Sequence, residues 1–387
     1  MLKKILLILG LALVLVGCKS DDPDTRAQLR SATISNEKKD IAQLMSENYP
    51  LYSQQLLMTL NKDNLSVNIL SLLNDQAENE TKARVKQADS QIRHLQGIEE
   101  FSDNILELRL VNQAMLTALK NGQSPLFAFE PKGSEKEWQY IEAFDVNGVI
   151  HQLDVHQAPT FPVLVIDSNN AQTLIAGLKA MRAEFERLGH SSVTLSRNPD
   201  QLIRSISDKS GAQPISTTVL KSIYLDDNME PWILGKSEIY ALITGVDPSR
   251  DAPIIDVIDM PYLHYEKVTY RPNQVLVHWS RYRWGAADIV IMEQDSNTDY
   301  KELAKLLVEA AEKVLQSIPS LETQGYAVIA NLTNRIIDAI PSSWFSNDDD
   351  FVDVYYTIQQ DKHYIDHPGA TNNALVTLEP LTIYPTR

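Results

Sequence analysis

Three carboxylates crowd one predicted loop in the stretch Ala287–Tyr300, ADIVIMEQDSNTDY. Apolar and polar residues alternate at its start with a period of two, which is typical of a strand. Glu293, Asp295 and Asp299 then follow with no basic residue among them. Hard oxygen ligands at this density leave a negative potential that a bound divalent cation would neutralise. The stretch therefore predicts one part of a calcium site.

Further acids flank other predicted strands of the C-terminal half. Calcium binds six to eight oxygens in flexible geometry, so loops at one end of a β-sandwich can supply its ligands together. The predicted Ca2+ ligands are six acidic residues: Asp226, Asp227, Glu238, Glu293, Asp295 and Asp350. The alternative that the sequence leaves open is that these acids only hydrate the ends of loops.

The segment 217–387 contains the strands that such a site needs. Period-two patterns recur in it, among them SEIYALITG, IIDVIDM, QVLVHW, ADIVIM, FVDVYYTI and NALVTLEPLTIY. They predict an antiparallel β-sandwich. Between positions 300 and 340 the apolar spacing changes to that of a helix and then back. We therefore expect a helical insertion at 300–340 within one loop of the sandwich.

Residues 26–190, which precede this segment, contain both helical spacing and period-two alternation. Residues 26–122 carry apolar residues at helical spacing, including a predicted helix that Ser102 and Asp103 would cap. Residues 123–190 predict strands, a hairpin at Asn147-Gly148 and a closing helix. Residues 191–216 are rich in Ser, Asn, Asp, Gly and Pro and predict a linker. The expected fold class is α+β: a helical and α+β N-terminal part, followed by the sandwich.

The first residues predict export. Lys3 and Lys4 precede a twelve-residue apolar run, 5–16, which is too short to span a bilayer and is typical of a signal peptide. The run ends in Leu15-Val16-Gly17-Cys18, which resembles the lipobox of bacterial lipoproteins. The resemblance implies a signal peptide at 1–17, lipidation of Cys18 and a tether at 18–25. Because Lys19 follows the cysteine, it also implies sorting to the outer membrane.

Charge and cysteine content exclude several classes of function. The chain has a formal net charge of −16, and residues 217–387 hold 13 basic and 25 acidic residues, a net charge of −12. Such a surface repels nucleic acids, so we expect no nucleic-acid partner. Cys18 is the only cysteine. Once it carries lipid, the chain has no disulfide and no catalytic thiol.

Two acidic segments resemble the calcium-binding C-two domain of protein kinase C and synaptotagmin. Asp226-Asp227 followed by Gly235-Lys236-Ser237-Glu238-Ile239-Tyr240 resembles the first calcium loop of that family. The strand at Ala287–Asp295 and the return at Asn347–Val352 resemble its third loop. The sequence departs from the family where Glu238 and Glu293 stand in place of aspartate. The chain as a whole resembles an uncharacterised group of bacterial lipoproteins, which implies no activity.

Motifs for catalysis are scarce. There is no His-Glu-x-x-His, no Gly-x-Ser-x-Gly and no glycine-rich phosphate loop. The segment DKHYIDH places His363 and His367 four residues apart, but we expect a loop there, where that spacing gives little support to a metal site. We therefore expect a binding or structural module that holds an unidentified protein, glycan or lipid at the sandwich's loop end. The alternative is a hydrolase that uses carboxylates or a metal between the two halves.

Overall fold

The computed structural model describes residues 22–73, 79–133, 135–190, 198, 199, 201, 213–227, 231–294, 296–341 and 351–384. Its helices are α1 (Pro23–Glu47), α2 (Tyr49–Thr59), α3 (Ile69–Leu72), α4 (Asn79–Leu95), α5 (Gln113–Lys120), α6 (Asn170–Arg187), α7 (Tyr300–Ser317), α8 (Leu321–Gln324) and α9 (Ala327–Ala339). The strands of the N-terminal half are β1 (Ser66–Asn68), β2 (Leu106–Leu110), β3 (Leu126–Phe129), β4 (Ile141–Phe144), β5 (Ile150–Leu153) and β6 (Val163–Ser168).

These six strands form one mixed sheet in the order β1-β2-β6-β3-β4-β5. Only β3 and β6 run parallel to each other, and the other neighbours are antiparallel. The predicted hairpin is confirmed, because β4 pairs with β5 around a turn in which Gly148 has a φ of 77°. Helix α1 packs on β3 and β6. The two predicted N-terminal regions therefore share one sheet.

The predicted helix after Ser102 and Asp103 is wrong in its first half. Residues Leu106–Leu110 form strand β2, and only the short helix α5 follows. Strand β2 lies between β1 and β6, and its sequence LELRL alternates leucine with Glu107 and Arg109. This alternation spans only five residues, and Leu108, Val111, Met115 and Leu119 also stand at helical spacing, so the sequence favoured one longer helix.

The C-terminal half is the predicted antiparallel sandwich. Its strands are β7 (Ile215–Leu225), β8 (Ile239–Val246), β9 (Pro253–Asp259), β10 (Thr269–Tyr270), β11 (Gln274–His278), β12 (Ala286–Glu293), β13 (Phe351–Gln359), β14 (Tyr364–Pro368) and β15 (Ala374–Ile383). One sheet has the order β10-β7-β15-β14, with β11 also paired to β7. The other sheet has the order β13-β12-β8-β9. Residues 364–368, expected to lie in a loop, form β14 because they pair with β15.

The four-stranded sheet is covered on both faces. Ile239, Ala241 and Ile243 of β8 face the second sheet of the sandwich. Tyr240 and Leu242 face the opposite way, into a core that they share with the N-terminal half. All residues of β8 and β12 are accordingly buried. The two halves of the chain are therefore joined by continuous packing.

The predicted helical insertion is confirmed as helices α7 to α9, which lie between β12 and β13. Helix α9 packs on β8 and β12, and α7 packs on α6 and α9. The insertion thus covers the outer face of the four-stranded sheet. Tyr300, at the start of α7, is only 1% exposed and lies directly against Gly177 of α6.

We predict that Gly177→Ala destabilises the protein. A Cβ atom at this position would lie 2.2 Å from Cζ of Tyr300, so α6 and α7 would have to separate. Overpacking of this kind costs about 1–3 kcal/mol of the free energy of unfolding, which urea denaturation measures. Lys179→Ala, on the exposed face of α6, is the control. Equal stability of Gly177→Ala and wild type would show that the α6–α7 contact is not tight.

Candidate functional site: a charged junction and an open cavity

The structure places the four predicted calcium ligands that it describes at the ends of three strands, β7, β8 and β12. Asp226 and Asp227 follow β7, where their backbone N–H groups donate to the carbonyl and side-chain oxygens of Asn373. Glu238 immediately precedes β8, and Glu293 ends β12. Asp299, the third acid of the predicted loop, accepts a hydrogen bond of 3.0 Å from the Glu302 backbone and caps α7.

Among the residues that the structure describes, no group of three or more acidic, histidine or cysteine side chains is arranged to share a metal ion. Asp295, Asp350 and Cys18 lie outside the described residues. His363 lies just before β14, and the ring of His367 lies 5.1 Å from that of Tyr364. Calcium binding and zinc binding therefore stay predictions.

Charged side chains instead gather where the two halves meet. Because β3 and β6 are parallel neighbours, with Phe129 opposite Ile166, their carboxyl ends lie side by side. Glu130 follows β3 directly, and Asp167 is near the end of β6. Crevices outside the carboxyl ends of such strands are common places for functional groups. We call the cluster the charged junction: Lys38, Glu107, Arg109, Glu130, Asp167, Glu238, Glu293 and Ser296.

Lys38 is the centre of one side of the junction. Its side chain is fully buried, and Nζ lies 2.7 Å from Oε2 of Glu130 and 3.9 Å from Oδ1 of Asp167. Ser296, in the turn between β12 and α7, donates its hydroxyl to the Glu130 carboxylate at 2.7 Å. The backbone carbonyl of Ser296 accepts a hydrogen bond of 2.7 Å from Gln96. This side of the junction therefore connects α1 and the mixed sheet to the insertion.

Arg109 organises the other side. Its Nε donates to Oδ2 of Asp167 at 2.8 Å, and its terminal nitrogen donates to the carbonyl oxygen of Ile233. Gly235 lies against the guanidinium, and a Cβ there would be 2.9 Å from Cζ of Arg109. The loop that leads into β8 is therefore closed tightly over this arginine.

Acids outnumber bases in the junction, and this affects proton binding. Burial raises the pKa of Glu238 from 4.5 to about 8, and the negative charges of Asp167 and Glu293 add to the effect. Burial and the charge of Asp167 likewise raise the pKa of Glu107. Glu238 therefore holds its proton at neutral pH, which reduces the repulsion among the junction's carboxylates.

Sequence reasoning missed most of the junction. It identified Glu238 and Glu293 as acids but assigned them to a calcium site, and it did not single out Lys38, Arg109, Glu130 or Asp167. One signal was available, since a lysine on the apolar face of a helix must find a buried carboxylate. Its partners are 92 and 129 positions further along the chain.

An open cavity of about 510 Å3 lies at the edge of the sandwich. Its walls are formed by nine residues: Asn198, Asp259, Pro261, Tyr262, Tyr270, Arg271, Pro272, Asn273 and Gln274. We call it the tyrosine cavity. Its volume is in the range of small-molecule binding sites. A second open cavity of about 580 Å3 lies between α7 and α9, and no residue of the charged junction lines either cavity.

The tyrosine cavity lies at the loop end of the sandwich. The end of β9 is beside the start of β8, with Asp259 opposite Tyr240. Strand β10 lies beside the end of β7, with Thr269 opposite Tyr224. The cavity is thus at the same end as Asp226 and the loop before β8. This is the end at which the sequence predicts ligand binding.

A chain of hydrogen bonds fixes the floor of the cavity. The Tyr262 hydroxyl donates to Oε1 of Gln274 at 2.5 Å, and Nε2 of Gln274 donates to the Asp259 carbonyl at 2.8 Å. Burial raises the pKa of Tyr262 and that of the Asp259 carboxyl. The Asp259 Oδ1 atom is buried and accepts no hydrogen bond from the described residues. This oxygen is therefore not accessible from the cavity, and the positive charge of Arg182 acts on its carboxyl group.

The fold and these features define an α+β protein in which a mixed sheet and a helix-covered antiparallel sandwich share a core. The chain belongs to the family described as Protein of unknown function (DUF3103), whose model matches residues 38–386. No curated protein and no solved structure matches the chain. Of the helices in the described ranges, none combines the length and apolar composition needed to cross a membrane.

Proposed function

We propose that the protein is anchored to the outer membrane through lipid on Cys18 and acts in the cell envelope as a binding module. The single observation that carries the binding role is the tyrosine cavity, an open site with a hydrogen-bonded floor at the loop end of the sandwich. Preformed concave sites with few, well-placed polar groups are typical of small-molecule binding.

The charged junction supports this function by holding the two halves of the chain together. It holds the loop before β8, which belongs to the same end of the sandwich as the cavity, against the mixed sheet through Arg109 and Asp167. A rigid support of this kind lowers the ordering cost of binding. The predicted hydrolase would use carboxylates at this place, but the carboxylates are packed between the halves and line neither open cavity.

Calcium at the loop end remains a proposal that accompanies the binding function. Asp226 and Asp227 lie there, directly after β7, and the Tyr224 hydroxyl donates to Oδ1 of Asp226 at 3.3 Å. The ion would also require Asp295 or Asp350, which lie outside the described residues. Its expected role is to stabilise the loop end, since an ion that binds only the folded state stabilises it.

We predict that a small molecule stabilises the purified mature protein through the tyrosine cavity. The measurement is the melting temperature in the presence of sugars, amino acids, dipeptides and nucleotides, each tested separately. At a hundredfold excess over its dissociation constant a ligand adds about 2.7 kcal/mol to the free energy of unfolding. Tyr270→Ala should remove the rise in melting temperature.

Tyr326→Ala is the matched control, because Tyr326 is 44% exposed and lies between α8 and α9, away from the cavity. It should respond to the same compound as wild type does. If every compound that raises the melting temperature of wild type also raises that of Tyr270→Ala by the same amount, the cavity is not the ligand site.

A further inference from the structure

We infer that helix α9 is docked on the four-stranded sheet through a proton-dependent contact, in which protonation of Asp288 holds the helix in place and ionisation of Asp288 loosens it. Asp288 lies on β12, opposite Thr244 of β8. Ala287 and Ile289 face the second sheet of the sandwich, so Asp288 faces the opposite way, because side chains alternate along a strand. Helix α9 packs on β8 and β12. Asp288 is therefore part of the interface between the sheet and the helical insertion.

Three fully buried polar side chains meet in this interface: Asp288, Thr244 and Thr333 of α9. The hydroxyl oxygens of Thr244 and Thr333 are 2.6 Å apart, so one of them donates to the other. Oδ1 of Asp288 accepts a hydrogen bond of 2.6 Å from the backbone N–H of Thr357 on β13. Oδ2 is also buried, and it accepts no hydrogen bond from the described residues. The carboxyl group is thus only half satisfied as an acceptor.

The electrostatics of the interface favour the protonated form of Asp288. Burial raises the pKa of its carboxyl to about 6. The Thr357 N–H and the Thr333 hydroxyl oppose this rise, but among the described residues no lysine, arginine or histidine does. An unpaired buried charge costs free energy. The group avoids that cost either by taking up a proton or by gaining contact with water.

The other titratable groups around Asp288 supply no positive charge to it. On β13, burial and the negative charges of Asp288 and Asp338 raise the pKa of Tyr356, so this tyrosine stays neutral. On α9, Asp338 is 64% exposed, and its Oδ2 atom lies 3.6 Å from Nη1 of Arg335. Strand β8 contributes an uncharged threonine opposite Asp288. The described elements that pack against Asp288 therefore leave its ionised form without a counter-charge.

Helix α9 is the part of this interface that can yield. Strand β12 is joined to β8 and β13 by backbone pairing, whereas α9 is held on the sheet by packing. A helix of 13 residues is only marginally stable without such packing, and its local opening requires less free energy than separation of a paired sheet. Opening of α9 would admit water to the ionised carboxyl. Asn331 and Arg335 of α9 also line the second open cavity, so the same motion would change the shape of that cavity.

The direction of the effect follows from the pKa of Asp288 in the docked and open states. The docked value of about 6 lies above the ordinary value of 3.8. The proton therefore stabilises the docked helix fully below pH 3.8, and this stabilisation declines as the pH rises and is lost well above pH 6. Between pH 5 and pH 8 the equilibrium constant for opening of α9 should rise about tenfold.

The test is hydrogen–deuterium exchange of the purified protein at pH 5 and pH 8, measured by mass spectrometry for peptides of α9 and corrected for the intrinsic exchange rate at each pH. In wild type the opening constant should be about tenfold larger at pH 8. Asp288→Asn, which keeps the shape of the protonated acid, should abolish this difference. The matched control is Asp338→Asn on the same helix. Its side chain is largely exposed, so this variant should keep the tenfold change.

Thr333→Val provides a second test that leaves the carboxyl in place. Because the Thr333 hydroxyl favours the ionised form, its removal should raise the pKa of Asp288 and move the loosening of α9 to higher pH. Circular dichroism shows whether each variant is folded. An equal opening constant of wild-type α9 at pH 5 and pH 8 would overturn the inference, even if both variants unfold. A tenfold change that persists in folded Asp288→Asn would also overturn it, because another group would then be responsible.

Discussion

Lys38→Met should lower the free energy of unfolding by about 3–5 kcal/mol, which is the usual cost of breaking a buried ion pair. Methionine keeps the length of the side chain but removes its charge. The Glu130 carboxylate, which lies 2.7 Å from Nζ, would then remain buried beside Asp167 with no ammonium group between them. Urea denaturation at pH 7 measures the loss.

Lys39 provides a matched control on the same helix. It pairs with Glu142, but its side chain is 38% exposed. Solvent-exposed pairs contribute about 0–1 kcal/mol, so Lys39→Met should change the stability little. The double variant Lys38→Met/Glu130→Gln should be more stable than Lys38→Met alone, because it also removes the stranded carboxylate. Equal losses for the Lys38 and Lys39 variants would contradict a buried junction.

The second large effect is a pH-dependent gain in stability from Glu238→Gln. The folded pKa of Glu238 is about 8, above the ordinary value of 4.5. The folded state therefore binds this proton more tightly than the unfolded chain. Stability contributed by the proton is fully present below pH 4.5, declines as the pH rises, and is gone above pH 8. Glutamine resembles the protonated acid and cannot lose that stability.

The expected result is a pH-dependent difference between the free energies of unfolding of Glu238→Gln and wild type. Glu238→Gln and wild type should have similar free energies of unfolding at pH 4. Above pH 8 the variant should be more stable by at most about 5 kcal/mol, since one pKa unit corresponds to about 1.4 kcal/mol. Urea denaturation between pH 4 and 9 provides the curve. The control is Glu186→Gln, at an exposed position on α6, whose difference in free energy of unfolding from wild type should not change with pH. If the difference for Glu238→Gln is also independent of pH, the carboxyl of Glu238 is well solvated.

Both predictions concern the support of the binding site rather than the ligand itself. The junction fixes the loop that leads into β8, and β8 pairs with the end of β9 that borders the cavity. A variant that weakens the junction should therefore weaken ligand binding only to the extent that it makes the loop before β8 and the end of β9 more mobile. This distinguishes the role of Lys38 from that of Tyr270, which contacts the ligand directly in our proposal.

Much of the fold followed from local patterns in the sequence. The alternation in β8, β9 and β12, the Asn-Gly turn between β4 and β5 and the helical spacing between positions 300 and 340 each predicted the correct element. These patterns are readable because a short run rich in β-branched residues and bounded by turn residues, a tight turn and an amphipathic helix each leave a short-range signature. Strand β2 was misassigned because its alternation, LELRL, is only five residues long and its leucines also fit the helical spacing of the residues that follow.

Nonlocal contacts decided the candidate site. Sequence determined that the C-terminal half is acidic and that acids stand near strand ends, but it did not determine which charges meet. Lys38 and Glu130 are 92 positions apart, and Glu130 and Ser296 are 166 positions apart. Only the parallel pairing of β3 with β6 and the docking of the sandwich on the mixed sheet bring them together. Burial there changes the proton affinity of Glu238, and burial is a property of the packed structure rather than of any segment.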